Sequence, residues 1–375
     1  MTTLLYRLLG ASILLAVTGC QRAPMPATAT LGLPPLASAP AAPDAVALGR
    51  KLFMDTRLSR NGTMSCAMCH VPEQGFAAVE LSTSVGLEGR SLRRNAPSLL
   101  NVAYVGQLFH DGRAASLEQQ AWDPLLNEIE MGNTGSDDVL ARLRSLPDYA
   151  GKFEAAYGGP ADRARVGAAL ASYQRTLLAG DSRFDRWRYG GQADALSLSE
   201  QAGFAIFAGK GRCIACHTVG ARAALFADGR FHNTGVGAAP RHDPQRSFQV
   251  QLAPGVWTTL RARDVASVSE PLQADAGRFE VTGAARDRWA YRTPSLRNVA
   301  ITGPYMHDGS IATLEEVIDF YQRGGIDNGA KDALLQRLEL NEQDKRDLVA
   351  FLRSLTSAHA GALAAQTRAA PELAP

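Results

Sequence analysis

Apolar residues recur at helical spacing along most of the chain. Val46, Leu48, Leu52 and Phe53 make one apolar face that Asp44 can cap. Ser197-Leu-Ser-Glu200 reads as a capping box leading into Phe204, Ile206 and Phe207. Stretches 137–156, 162–178, 313–323 and 341–355 keep the same period. In the last, Asn341 can cap, and Leu348, Phe351, Leu352 and Leu355 share a face. Alternating strand patterns are nearly absent, so the expected fold class is mainly α. The Gly- and Pro-punctuated region 235–283 reads as loops and short extended pieces.

The ends follow other rules. Arg7 precedes an apolar run from Leu8 to Val17, too short for a membrane span but suited to a signal peptide. It ends in Val17-Thr18-Gly19-Cys20, which resembles a bacterial lipobox. That implies removal of the segment before Cys20, a lipid anchor on this cysteine as the only membrane attachment, and a periplasmic location. The plainer alternative is an ordinary signal peptide with an incidental Cys20. Residues 21–43, rich in Ala and Pro, read as a tether, and 357–375 as a disordered tail. With 375 residues, 46% of them apolar, the chain has room for about two domains. A net charge of +2 gives no reason to expect nucleic acid as a partner.

Cysteine use changes the picture most. Besides Cys20 there are two pairs, Cys66-Ala-Met-Cys69-His70 and Cys213-Ile-Ala-Cys216-His217. C-x-x-C-H is the attachment signature of c-type haem. Two thiols reach the two vinyl groups on the porphyrin, and the next residue offers imidazole to the iron. A zinc site or a thioredoxin-like pair does not need a histidine after both cysteine pairs. Two covalent haems are expected, held through Cys66, Cys69, His70, Cys213, Cys216 and His217.

Two such sites suggest a duplicated unit. Arg94-Asn-Ala-Pro-Ser-Leu, His110-Asp-Gly-Arg and Ser116-Leu-Glu return as Arg292-Thr-Pro-Ser-Leu, His307-Asp-Gly-Ser and Thr313-Leu-Glu. Pro97 and Pro294, His110 and His307, and Glu118 and Glu315 are each 197 positions apart, whereas Cys66 and Cys213 are 147 apart. The second unit therefore carries an insert of about 50 residues between His217 and Arg292. The reading is two cytochrome c-like domains, 44–190 and 191–356.

The order of C-x-x-C-H, R-N-x-P-S-L, D-G-R, L-x-x-Q and E-M-G, then C-x-x-C-H, R-T-P-S-L-R-N and P-Y-x-H-D-G-S, resembles the bacterial di-haem cytochrome c peroxidases and their MauG-like relatives. The likeness implies that Glu130 and Gln120 act on the distal side of the N-terminal haem, as proton carrier and hydrogen-bond donor to peroxide. It implies a sixth iron ligand at Tyr321 for the C-terminal haem, with the thioether of Met306 as the alternative. The repeat position of Tyr321 is Pro124, which cannot ligate iron. Leu87 stands where many relatives place a loop histidine, so the N-terminal haem is expected to be open. His110 replaces a tryptophan that the family commonly sets between the haems, while His307 keeps its family identity. The likeness also implies a calcium ion bound by the side chain of Asn95 and the carbonyls of Thr302 and Pro304. His232, His242 and His359 receive no role and read as loop or surface residues.

The function implied is reduction of hydrogen peroxide at the haem held by His70. Electrons would come through the haem held by His217 from a small donor protein, a cytochrome c or a cupredoxin. A MauG-like oxidase that modifies residues of a partner protein is the alternative. A non-catalytic di-haem carrier is the third reading, disfavoured because a carrier gains nothing from an open iron beside Glu130 and Gln120.

Overall fold

The computed structural model describes residues 30–37, 39–239, 247–253, 256–261 and 275–369. The expected signal segment, Cys20 and His242 lie outside the described residues.

Each unit is built on a pair of crossing helices. Pro43–Met54 packs on Arg163–Gln174 in the first, and Leu198–Ala208 on Glu342–Ser354 in the second. A glycine sits at each crossing. A Cβ on Gly49 would lie 1.8 Å from the Ala169 carbonyl oxygen, and one on Gly203 would lie 2.0 Å from that of Asp347. The helices approach this closely because neither glycine has a side chain.

Two apolar cores result. Leu52, Phe53, Leu58, Phe76, Leu125 and Leu170 fill the first, and Phe184, Phe207, Phe226, Phe351 and Leu355 the second. The repeat extends to the backbone. Asn101 and Asn298 are both left-handed (φ 63° and 62°), as are Phe109 and Met306 (65° and 72°). The bridge between Leu108 and Ala114 recurs between Tyr305 and Ile311.

The predicted capping box forms at Ser197–Glu200 and Asn341 caps Glu342–Ser354 as expected, while a further box forms at Thr313–Glu316. Asp44 does not cap: Ala42 holds that place and Pro43 opens the helix, so Asp44 lies within the first turn. The expected 137–156 helix is split into Ser136–Ser145 and Lys152–Tyr157, with Pro147 and a left-handed Gly151 between them. The insert supplies a hairpin, Ser247–Ala253 with Val256–Arg261, and the strand Phe231–His232, which pairs with Tyr291–Arg292.

Both ends depart from expectation. Within 357–375, Ala360–Arg368 is a helix, and Ala360 and Leu363 join the first core. Tyr173 and Thr367 share a hydroxyl hydrogen bond of 2.7 Å, and Arg50 donates to the Gln366 carbonyl. Alanine is the strongest helix former, and one leucine per two turns is enough to dock this segment. The described part of the tether docks as well. Leu33 is buried, and Arg297, in a buried two-pronged ion pair with Asp185, donates to the Gly32 carbonyl at 2.6 Å. Among the described residues no helix is long and apolar enough to cross a membrane.

Candidate haem sites

Cys66–Cys69 forms a single helical turn, with His70 at its C-cap; Cys213–Ala215 is a tighter turn followed by Cys216 and His217. The four thiols are not joined in disulfides. Burial pushes the Cys66 and Cys213 thiols up to about 12, and that of Cys69 to about 11.

Both histidines are oriented alike. His70 Nδ1 donates to the Phe76 carbonyl at 3.2 Å, and His217 Nδ1 to that of Phe226 at 2.8 Å. Both phenylalanines are left-handed (φ 57° and 52°), which turns their carbonyls onto the rings. With Nδ1 spent, Nε2 is left as the ligand atom, and burial lowers both pKa values so that the imidazoles stay neutral. One continuous cavity of about 1810 Å³ is lined by Cys69, His70, Cys213, Cys216 and His217. Its apolar walls and the oriented imidazoles fit two haems.

In the first unit, Gln120, Pro124 and Glu130 line this cavity. Gln120 ends the short helix Leu117–Gln120, which Ser116 caps, and Pro124 lies in Trp122–Leu126. Burial pushes the Glu130 carboxyl up to about 7, reinforced by Asp123 and opposed by the positive charge of Arg113. Its charge also adds to the rise at Cys69, so the carboxylate stands close to the first cysteine pair. Leu87 is buried in the core; its N–H donates to the Ile129 carbonyl at 2.8 Å, and its side chain lies beside Gly132.

In the second unit, Tyr321 from Leu314–Gln322 lines the cavity, as do Met306 and Val317. Burial raises the Tyr321 phenol far above its ordinary range, and negative charge on Cys213 and Cys216 adds to the rise. Tyr321 is thus gathered around the second cysteine pair.

Between the units, His110 Nε2 donates to the Asn95 carbonyl at 2.9 Å, and the Asn95 N–H donates to the His307 carbonyl at 2.8 Å. Burial lowers the His110 pKa to about 3, so its ring is neutral. Asn95 also spends its side-chain N–H on the Ser82 carbonyl, which leaves Oδ1 as an acceptor. Thr302 and Pro304 line the same cavity.

His232 is not a surface residue. It is half-buried on the cavity wall, 2.9 Å from Asp228 and 2.5 Å from Asp332. Cys216, Asp228 and His232 bring ligand-type atoms within 4.8 Å of one another. His359 is also engaged, 3.2 Å from Asp181. Sequence reasoning missed Tyr291, which lies on the cavity wall and stacks on His307 with ring centroids 3.6 Å apart. The only signal for it was its place directly before the repeated Arg-Thr-Pro-Ser-Leu.

Comparison with known proteins agrees with this geometry. Residues 43–194 match the di-haem cytochrome c peroxidase family. The chain is 38% identical over 318 residues to the methylamine utilization protein MauG of Methylorubrum extorquens, covering 84% of this chain and 79% of that one. It is also 38% identical over 331 residues to the cytochrome-c peroxidase IdrP1 of Denitromonas iodatirespirans, covering 86% and 85%. A crystal structure of a MauG-like protein associated with microbial copper homeostasis superposes with a TM-score of 0.72 at 33% identity, covering 91% of this chain and 97% of that one. The chain belongs to the di-haem cytochrome c peroxidase and MauG family of oxidoreductases.

Proposed function

We propose that this protein is a periplasmic di-haem peroxidase that reduces hydrogen peroxide in the N-terminal pocket and receives electrons through the C-terminal one. The observation that carries this reading is Glu130, a cavity-lining carboxyl pushed up to about 7 beside the first cysteine pair. Haem bound through Cys66, Cys69 and His70 would supply the electrons that cleave the peroxide O–O bond. Glu130 takes the proton from one peroxide oxygen and returns it to the other, so that water leaves. A carboxyl titrating near neutrality suits both halves of that transfer. Gln120 holds the peroxide by an amide hydrogen bond and faces the charge that develops as the bond breaks.

In the second pocket, haem would be held through Cys213, Cys216 and His217, with Tyr321 as the sixth ligand. Phenol at this position supports a second reading, a MauG-like oxidase acting on a partner protein. A hard anionic ligand stabilises high oxidation states, whereas a thioether such as Met306 raises the potential. The free Oδ1 of Asn95 supports a calcium ion bound there with the carbonyls of Thr302 and Pro304. Lipid attachment at Cys20 completes the proposal.

The test mixes the oxidised two-haem protein with hydrogen peroxide and a reduced small c-type cytochrome. Repeated oxidation of the cytochrome supports the peroxidase. A long-lived oxidised state without such turnover contradicts it and supports the MauG-like reading.

A further inference from the structure

We propose that Tyr291 is the electron-tunnelling bridge between the two pockets, with His307 as its stacked partner. This rests on the di-haem reading above.

The two pockets are parts of one cavity, and its walls include His110, Asn95, Tyr291, Arg292 and His307, where backbone hydrogen bonds join the two units. Tyr291 is buried, and its ring lies nearly parallel to that of His307, with centroids 3.6 Å apart and planes 14° apart. Aromatic pairs usually prefer offset or edge-on geometry, so face-to-face contact at this separation is imposed by the surroundings. It gives face-to-face π contact along this part of the wall.

The pair is locked from several sides. Tyr291 belongs to the strand paired with Phe231–His232, and the next residue, Arg292, donates its N–H to the His110 carbonyl at 2.7 Å. The His307 carbonyl is bound by Asn95, which also accepts from His110. Both repeat-related histidines, one from each unit, are therefore tied to the same short path. A rigid path of contacting groups carries an electron better than one that must re-form for each transfer.

The ring is fitted to tunnelling and not to holding a radical. Removing an electron from a phenol requires a base for its proton, yet Tyr291 Oη donates to the backbone carbonyl of Asp275 at 3.2 Å. The Asp275 carboxylate is occupied by Arg94, which also holds its pKa far below the usual range. The Arg94 guanidinium stands 5.7 Å from the Tyr291 ring centroid, where positive charge opposes oxidation of the ring. One electron leaves the C-terminal haem, one arrives at the N-terminal haem, and Tyr291 is unchanged.

The experiment uses the purified protein with its two haems per chain verified by mass. An electron is photoinjected, and its passage between the haems is followed through their separate absorption bands. Tyr291→Leu should slow the transfer about tenfold or more, with spin states and potentials unchanged, while Tyr291→Phe stays within about threefold of wild type. Should leucine disturb folding, Tyr291→Met, more adaptable in a core, makes the same test. An aliphatic variant as fast as wild type overturns the bridge. A phenylalanine variant as slow as leucine, or a tyrosyl radical in freeze-quench electron paramagnetic resonance, overturns tunnelling through the ring. A chain that binds fewer than two haems refutes the underlying di-haem reading instead.

Discussion

The two units share a scaffold and differ where a ligand would meet iron. In both, a glycine-mediated helix crossing, a left-handed asparagine and a phenylalanine carbonyl on the histidine Nδ1 recur. On the opposite wall the repeat positions diverge. Gln120, Pro124 and Glu130 in the first unit correspond to Val317, Tyr321 and Asp327 in the second. Val317 and Tyr321 line the cavity, but Asp327 is exposed and lies outside its walls. On the function proposed above, these three changes separate a pocket with a proton carrier and no sixth ligand from one with a ligand and no proton carrier. Duplication supplies the frame, and the distal wall assigns each copy its task.

The sharpest way to break this contrast is Glu130→Gln. Peroxide turnover should fall by roughly 10²–10⁴, the range for a lost general acid–base group, with both haem spectra retained. An undiminished rate would remove Glu130 from the mechanism. A related expectation concerns pH. The carboxyl is raised to about 7, so it is protonated below that pH and can accept a proton only above it. The apparent second-order rate with peroxide should therefore fall as pH drops through about 7, and Glu130→Gln should flatten the profile. A flat wild-type profile would contradict this assignment.

Tyr321→Phe addresses the other pocket. It should abolish the low-spin signal of the C-terminal haem and leave the N-terminal one as it was; an unaltered spectrum would assign the ligand to Met306. The smallest effect tests what the units share. Gly49→Ala and Gly203→Ala each place a methyl group against a backbone carbonyl. Each should cost about 1–3 kcal/mol in thermal or denaturant unfolding, the usual penalty for overpacking. Losses that differ widely would show that the two crossings are not equivalent.

Much of the frame was legible because its signals are local. Ser197 and Asn341 carry their capping partners three residues away, and each C-x-x-C-H is contiguous. The break at Pro147 was equally local, yet apolar periodicity on both sides concealed it. Glu130, Gln120 and Tyr321 became candidates through family resemblance, since a lone acid or tyrosine on a helix carries no signal of its own. What stayed hidden depends on distant partners. His232 is defined by Asp332, a hundred positions on, and Tyr291 by a stack on His307 that no spacing rule encodes. The terminal Ala-rich segment looked disordered because its docking surface, near Arg50 and Tyr173, belongs to the first half of the chain.

The central claim is the inequality of the two pockets, and the spin state of the oxidised, purified protein tests it most directly. Electron paramagnetic resonance, with the visible spectrum alongside, should show one high-spin haem, open at the site of Pro124, and one low-spin haem ligated by His217 and Tyr321. Two low-spin haems would contradict the account, because the N-terminal iron would then hold a sixth protein ligand that neither Pro124 nor Leu87 can provide.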